Sequence, residues 1–167
     1  MFVYELNKRR SVDSIIILVI LFGFYLRVSN VFDQVPWNGE DFMAGRILES
    51  KDILVNSAYP GVSKPLWQLM VAFGYKLMGF RLFVGSLWSV YFGTGIIALI
   101  YSICRRLFNS DVGLYSSLFT ASMLTFIHIS RLPRATMASL FFMLLAANLY
   151  LIYANKGWIY DREMVFV

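Results

Sequence analysis

Long apolar runs separated by short charged breaks dominate this sequence. A helix needs about 20 apolar residues to cross a bilayer. Four runs approach that length, over residues 12–32, 82–104, 112–130 and 135–155. The first has a charge-free centre from 14 to 26, and the second has no charged residue. In the third, His128 is the one side chain that titrates near neutral pH. In hydrocarbon each backbone polar group must be satisfied within its own segment, so the runs predict helices. The alternating short strands of a barrel are absent. The expected fold is an all-α integral membrane domain over 1–167, with about four transmembrane helices.

The connections differ in kind. Asn109, Ser110 and Asp111 predict a tight turn after Arg105 and Arg106. Pro133, between Leu132 and Arg134, ends one helix and permits a new start. The first connection, 33–81, is far longer. It holds Asp33, Glu40, Asp41, Glu49 and Asp52, half of the 10 acidic residues. Unstructured loops of that length are uncommon unless functional. Two amphipathic helices are expected inside it. One runs over 40–54, after a turn at Asn38 and Gly39; the other runs over 65–80. Trp67, Phe73 and Tyr75 suit the second to the membrane interface, and a fifth span is the alternative.

Composition sharpens the membrane reading. Hydrophobic residues make up 59% of the chain and charged residues 15%. Soluble domains average roughly 45–50% and about 25%. The net charge is +5. No basic stripe marks a soluble element, which argues against nucleic acid. Lys8, Arg9, Arg10, Arg105, Arg106 and Lys156 fall on one side of a four-span arrangement. That side is expected to be cytoplasmic, with the N-terminus on it. Arg46, Lys51, Lys64, Lys76 and Arg81 oppose them in the long loop and weaken the bias. Cys104 is the single cysteine, so an internal disulfide is excluded. The N-terminal apolar run lacks a small-residue cleavage site and reads as an uncleaved span. The last residues, Met164 to Val167, are apolar and are expected to begin a further element.

Four places could carry chemistry. Glu40 and Asp41 open the first loop helix. Either could act as a general base toward a hydroxyl or help hold a divalent cation. Acids there also favour the helix dipole, so capping is the plainer reading. Lys64, before Pro65, could contact a lipid phosphate or simply snorkel to headgroups. Arg131 and Arg134, with His128, stand at the far end of the third span. They could clamp a phosphate through forked hydrogen bonds or anchor the interface. Arg27 lies near the end of the first span, within reach of the interface; charge inside a membrane is expensive and often functional.

Taken in order, these pieces resemble a known layout. Arg27 ends a span. Trp37-Asn38-Gly39-Glu40-Asp41-Phe42 with Arg46 follows, then Lys64-Pro65-Leu66 and Gly79-Phe80-Arg81-Leu82. Arg105-Arg106-Leu107-Phe108 and Ser130-Arg131 complete the series. The layout is similar to the N-terminal part of the polytopic lipid-linked-sugar glycosyltransferases. That group includes the dolichyl-phosphate-mannose protein mannosyltransferases and the aminoarabinose lipid A transferases. The resemblance covers about 15–157. It implies a polyprenyl-phosphate-linked sugar as donor and transfer to an acceptor hydroxyl on the extracytoplasmic face. Glu40 or Asp41 would be the base, and Lys64 with Arg131 or Arg134 the phosphate contacts. The chain departs from the pattern in its Glu-Asp order and its single Pro after Lys64. It also lacks an acid soon after Ser130-Arg131, and it holds fewer spans than the family. A non-enzymatic membrane subunit packing against other membrane chains is the rival expectation. Gly85, Gly93, Gly95, Ser116 and Ser117 would allow close helix contact in either case. A transporter segment ranks third, because the spans lack a buried charge pair.

Overall fold

A computed structural model describes residues 2–29, 31, 65–79, 81 and 83–164, with side chains over 14–29, 31, 66–79, 81 and 83–154. All of its regular elements are helices: α1 (Phe2–Val28), α2 (Pro65–Met78), α3 (Phe83–Leu107), α4 (Ser110–Ser122), α5 (Leu124–Arg131) and α6 (Ala135–Met164). α3 and the 135–154 stretch of α6 are long and apolar enough to cross a membrane. The bent pair α4–α5 makes a third candidate if it counts as one span. In α1 the apolar part, Ser14–Val28, is shorter.

α3 is the central helix. Its two ends meet different partners, and those contacts fix the helix directions. Near its start, Val84 packs with Ala135 and Ala138 of α6 and with Trp67, Val71 and Tyr75 of α2. Near its end, Ile97 and Tyr101 pack with Ile16 and Val19 of α1 and Ala121 of α4. α6 therefore runs parallel to α3, and α1 antiparallel to it. The ring of Phe92 packs at a tilt against Phe141 and Phe142 across the α3–α6 seam, with centroids 5.3 and 5.7 Å apart. Gly95 makes room there, since a Cβ would sit 2.7 Å from the Phe141 ring.

The solvent relationship is that of a membrane protein. Leu18, Tyr25, Phe119, Leu124 and Tyr153 are exposed, Leu124 at 80%. Arg27, Gln68, Ser89, Ser117 and Ser130 are buried at 0% exposure. Apolar residues outside and small or polar ones between helices suit a hydrocarbon surround.

Several boundaries differ from expectation. α1 ends at Val28 instead of 32, closed by a Ser29 N–H donation to Tyr25 O at 2.9 Å. Asn109 is the N-cap of α4, its side-chain oxygen accepting from Val112 N at 2.8 Å, so Ser110 and Asp111 are already helical. α2 lays Trp67 and Tyr75 against the bundle and leaves Phe73 exposed.

The largest correction concerns the predicted continuous helix over 112–130. It is two helices, α4 and α5, bent by 58° about an extended Met123 (φ −61°, ψ 113°). Neither Pro nor Gly stands there. A side chain from another helix, Arg27 of α1, meets the break. The expected helix over 40–54 falls outside the described residues.

Candidate functional site

The α4–α5 bend opens a gap in the backbone ladder. Met123 N still donates to Phe119 O, and the next donation, Ile127 N to Met123 O, belongs to α5. The carbonyls of Thr120 and Ala121 lose their helical donors. In an apolar surround each orphaned carbonyl would be costly.

Arg27, from the last turn of α1, supplies the missing donors. Its Nη2 donates to Thr120 O at 3.1 Å and its Nη1 to Ala121 O at 3.2 Å. Nη1 also donates to Gly23 O at 2.8 Å, and Nε donates to Ser130 Oγ at 3.3 Å. The ring of Phe126 lies 5.7 Å from the guanidinium carbon. A cation at a helix C-terminus also complements the dipole of α4. Arg27 thus holds the break in place, a role for an inserted side chain that explains a sharp bend without Pro. It does not reach the interface, as its position near the span end suggested; it is fully buried.

Two glycines admit this side chain. A Cβ on Gly93 would lie 2.6 Å from Ser130 Oγ and 3.3 Å from Arg27 Nε. A Cβ on Gly23 would collide with Ile97 and lie 3.2 Å from Arg27 Nη1. Any larger residue at either position must displace the guanidinium or its partners.

Arg131 returns the favour at the end of α5. Its Nη2 donates to Leu26 O at 2.6 Å and to Ser29 Oγ at 3.1 Å, so it caps the last turn of α1. Ser29 Oγ donates to the same Leu26 carbonyl at 3.0 Å. Arg27 therefore closes the C-terminus of α4, and Arg131, at the end of α5, closes the helix that carries Arg27. The Nε of Arg131 is buried and has no partner among the described residues.

Beyond Pro133, Arg134 has an exposed side chain. Its backbone is pinned to α3, where Ser89 Oγ accepts from Arg134 N and donates to Arg134 O, each at 3.3 Å. Arg131 and Arg134 thus stand at one end of the bundle, with His128 exposed on α5 nearby. Glu40, Asp41 and Lys64 lie outside the described residues. Among the described residues, no group of three His, Cys, Asp or Glu side chains could hold a metal ion.

Sequence reasoning named Arg131 and Arg134 but missed Ser130 and undervalued Arg27. The signal for Arg27 was available in the cost of a charge inside a span. Nothing local pointed to its partners on α4 and α5, which lie 93 to 103 positions away.

No curated protein and no solved structure matches this chain. A sequence model of the dolichyl-phosphate-mannose-protein mannosyltransferase family matches residues 60–160. The match takes in Lys64, Arg131 and Arg134 and leaves Glu40 and Asp41 outside. It spans more than half of the 167 residues, from the start of α2 into α6, so the chain belongs to the dolichyl-phosphate-mannose-protein mannosyltransferase family.

Proposed function

We propose that this chain contributes to a membrane glycosyltransferase that moves a sugar from a polyprenyl-phosphate donor to an acceptor hydroxyl on the extracytoplasmic face. The family match over α2–α6 is the observation that carries the reading. The arrangement of Arg131 agrees with it. Its Nη2 is anchored to α1 at Leu26 O and Ser29 Oγ, so the guanidinium is held in place at that end of the bundle. A fork held in that way suits a phosphate oxygen.

In the proposed arrangement α1, α3, the α4–α5 pair and α6 cross the membrane, with the N-terminus cytoplasmic. The 33–81 connection and Arg131 then share the extracytoplasmic side. α2 lies along the interface there, its Trp67 face turned to the bundle. Glu40 or Asp41 removes the acceptor hydroxyl proton. The oxygen attacks the anomeric carbon as the bond from that carbon to the phosphate oxygen breaks. The leaving phosphate keeps the electron pair and is stabilised by Lys64 with Arg131 or Arg134. A divalent cation near Glu40 and Asp41 would serve the same charge balance.

The test is transfer from a polyprenyl-phosphate sugar in membranes containing the full chain. Glu40→Gln or Asp41→Asn is expected to reduce transfer by about 10²–10⁴-fold at unchanged protein level, the usual loss for a general base. Full activity in both variants removes the base assignment. Absence of transfer by the unaltered chain, with the variants equally abundant, favours the packing-subunit reading.

A further inference from the structure

α5 is a short helix with little of its own to hold it. It has 8 residues, opens on an extended Met123 without a side-chain cap, and closes at an extended Leu132 before Pro133. Helices of that length are marginal in isolation, so tertiary contacts set where α5 lies. Its buried residues are Ile127 and Ser130, three positions apart on one face. Ser130 is the polar one, and it is fully buried.

Ser130 meets three other helices at once. Its Oγ accepts from Arg27 Nε of α1 at 3.3 Å. A Cβ on Gly93 of α3 would come within 2.6 Å of that oxygen, so only glycine lets α3 approach this closely. Met137 Sδ of α6 stands 3.9 Å away. Within α5 the same hydroxyl donates to Phe126 O, so its proton serves α5 while a lone pair serves Arg27. The next residue is Arg131, about 100° further round the helix. That step carries its guanidinium to the end of α1, where Nη2 meets Leu26 O at 2.6 Å and Ser29 Oγ at 3.1 Å. Two links therefore join the end of α1 to the last turn of α5. One runs from Arg27 to Ser130, the other from Arg131 to Leu26 and Ser29. A rotation of α5 that carried Arg131 off α1 would also drive Ser130 against Gly93 or away from Arg27. The short helix is thus fixed in rotation as well as in place.

We propose that Ser130 is a positioning residue for Arg131, fixing the guanidinium where it meets the phosphate of the donor. This role rests on the phosphate contact assigned to Arg131 above. A forked donor depends on direction as well as charge, so a small rotation of α5 weakens it. Arg27→Met would release the same lock, but it also strands the carbonyls of α4. Ser130→Ala removes the acceptor and leaves those bonds in place.

Equilibrium binding of radiolabelled undecaprenyl phosphate to the purified full chain in detergent tests this role. Arg131→Gln is expected to weaken binding about tenfold and Ser130→Ala about fivefold. In the Arg131→Gln background, Ser130→Ala should change the affinity less than about twofold, because the group it positions is gone. Ser122→Ala, whose hydroxyl bonds within its own helix, should leave the affinity unchanged. An equal loss from Ser130→Ala in both Arg131 backgrounds overturns the positioning role, since a general loosening of the bundle adds independently. A matching loss in Ser122→Ala overturns it too. So does unchanged binding in Ser130→Ala while Arg131→Gln binds weakly; the phosphate contact then stands alone. Unchanged binding in Arg131→Gln, or no binding by the unaltered chain, removes the phosphate contact itself and the positioning role with it.

Discussion

Arg27 and Arg106 make the same bond in two different places. Each sits in the last turn of an apolar helix, and each donates from Nε to a serine hydroxyl, Ser130 at 3.3 Å and Ser102 at 3.4 Å. Their surroundings then diverge. Arg27 is fully buried, and its two Nη groups donate to three backbone carbonyls. Arg106 is exposed. Burial turns the first into a structural element, because a guanidinium in hydrocarbon persists only when its hydrogens are matched. Exposure leaves the second able to exchange partners. The residue type alone does not decide between a fixed contact and an exchangeable one; the count of backbone acceptors around it does.

The comparison can be broken most directly at Arg27. Arg27→Met strands the Thr120 and Ala121 carbonyls and should cost about 3 kcal/mol or more, read as a lower unfolding temperature in detergent. Arg27→Lys should recover part of the loss, since an ammonium cannot span the Thr120 and Ala121 carbonyls as a fork does. A wild-type melting temperature for Arg27→Met would show that the α4–α5 bend is stable without it.

Next in size is Gly93→Ala. Its new methyl meets Ser130 Oγ and Cβ inside 3.0 Å. Overpacking of that kind costs about 1–3 kcal/mol. Gly95→Ala also crowds its neighbour, but that neighbour is the half-buried Phe141 ring and not a hydrogen-bonded group. The unfolding temperature should therefore fall further for Gly93→Ala than for Gly95→Ala. The reverse order would detach Gly93 from the Arg27 cluster.

Arg131 is expected to fall between the extremes. Arg131→Gln loses the bonds to Leu26 O and Ser29 Oγ and should cost about 1 kcal/mol of stability. If it also contacts the donor phosphate, KM for the polyprenyl-phosphate sugar should rise by more than that stability change explains. An unchanged KM would confine Arg131 to capping α1. The smallest effect belongs to Arg106→Gln, where stability should stay within about 0.5 kcal/mol. A large loss there would place Arg106 in the same structural class as Arg27.

Much of the helical frame was legible from residue pattern alone. The uncharged run over 82–104 is matched by α3, and Pro133 with Ala135 marked the start of α6 within a residue. Hydrocarbon leaves a chain no other way to satisfy its backbone, so apolar length maps almost directly onto helices. The resemblance in motif order also pointed to the right family. The site was less legible. Arg131 and Arg134 could be named from their place beyond a predicted span, but not which of them is held by the bundle.

The sequence by itself determined that this chain is helical, membrane-borne and of the lipid-linked-sugar transferase kind, because those properties follow from local composition and motif order. Only the tertiary structure decided where the helix over 112–130 breaks and why Gly93 must stay small. Both depend on one guanidinium arriving from α1 to satisfy carbonyls that local sequence would have paired within their own helix. Local pattern fixes which groups need partners; the packed bundle determines which partners they receive.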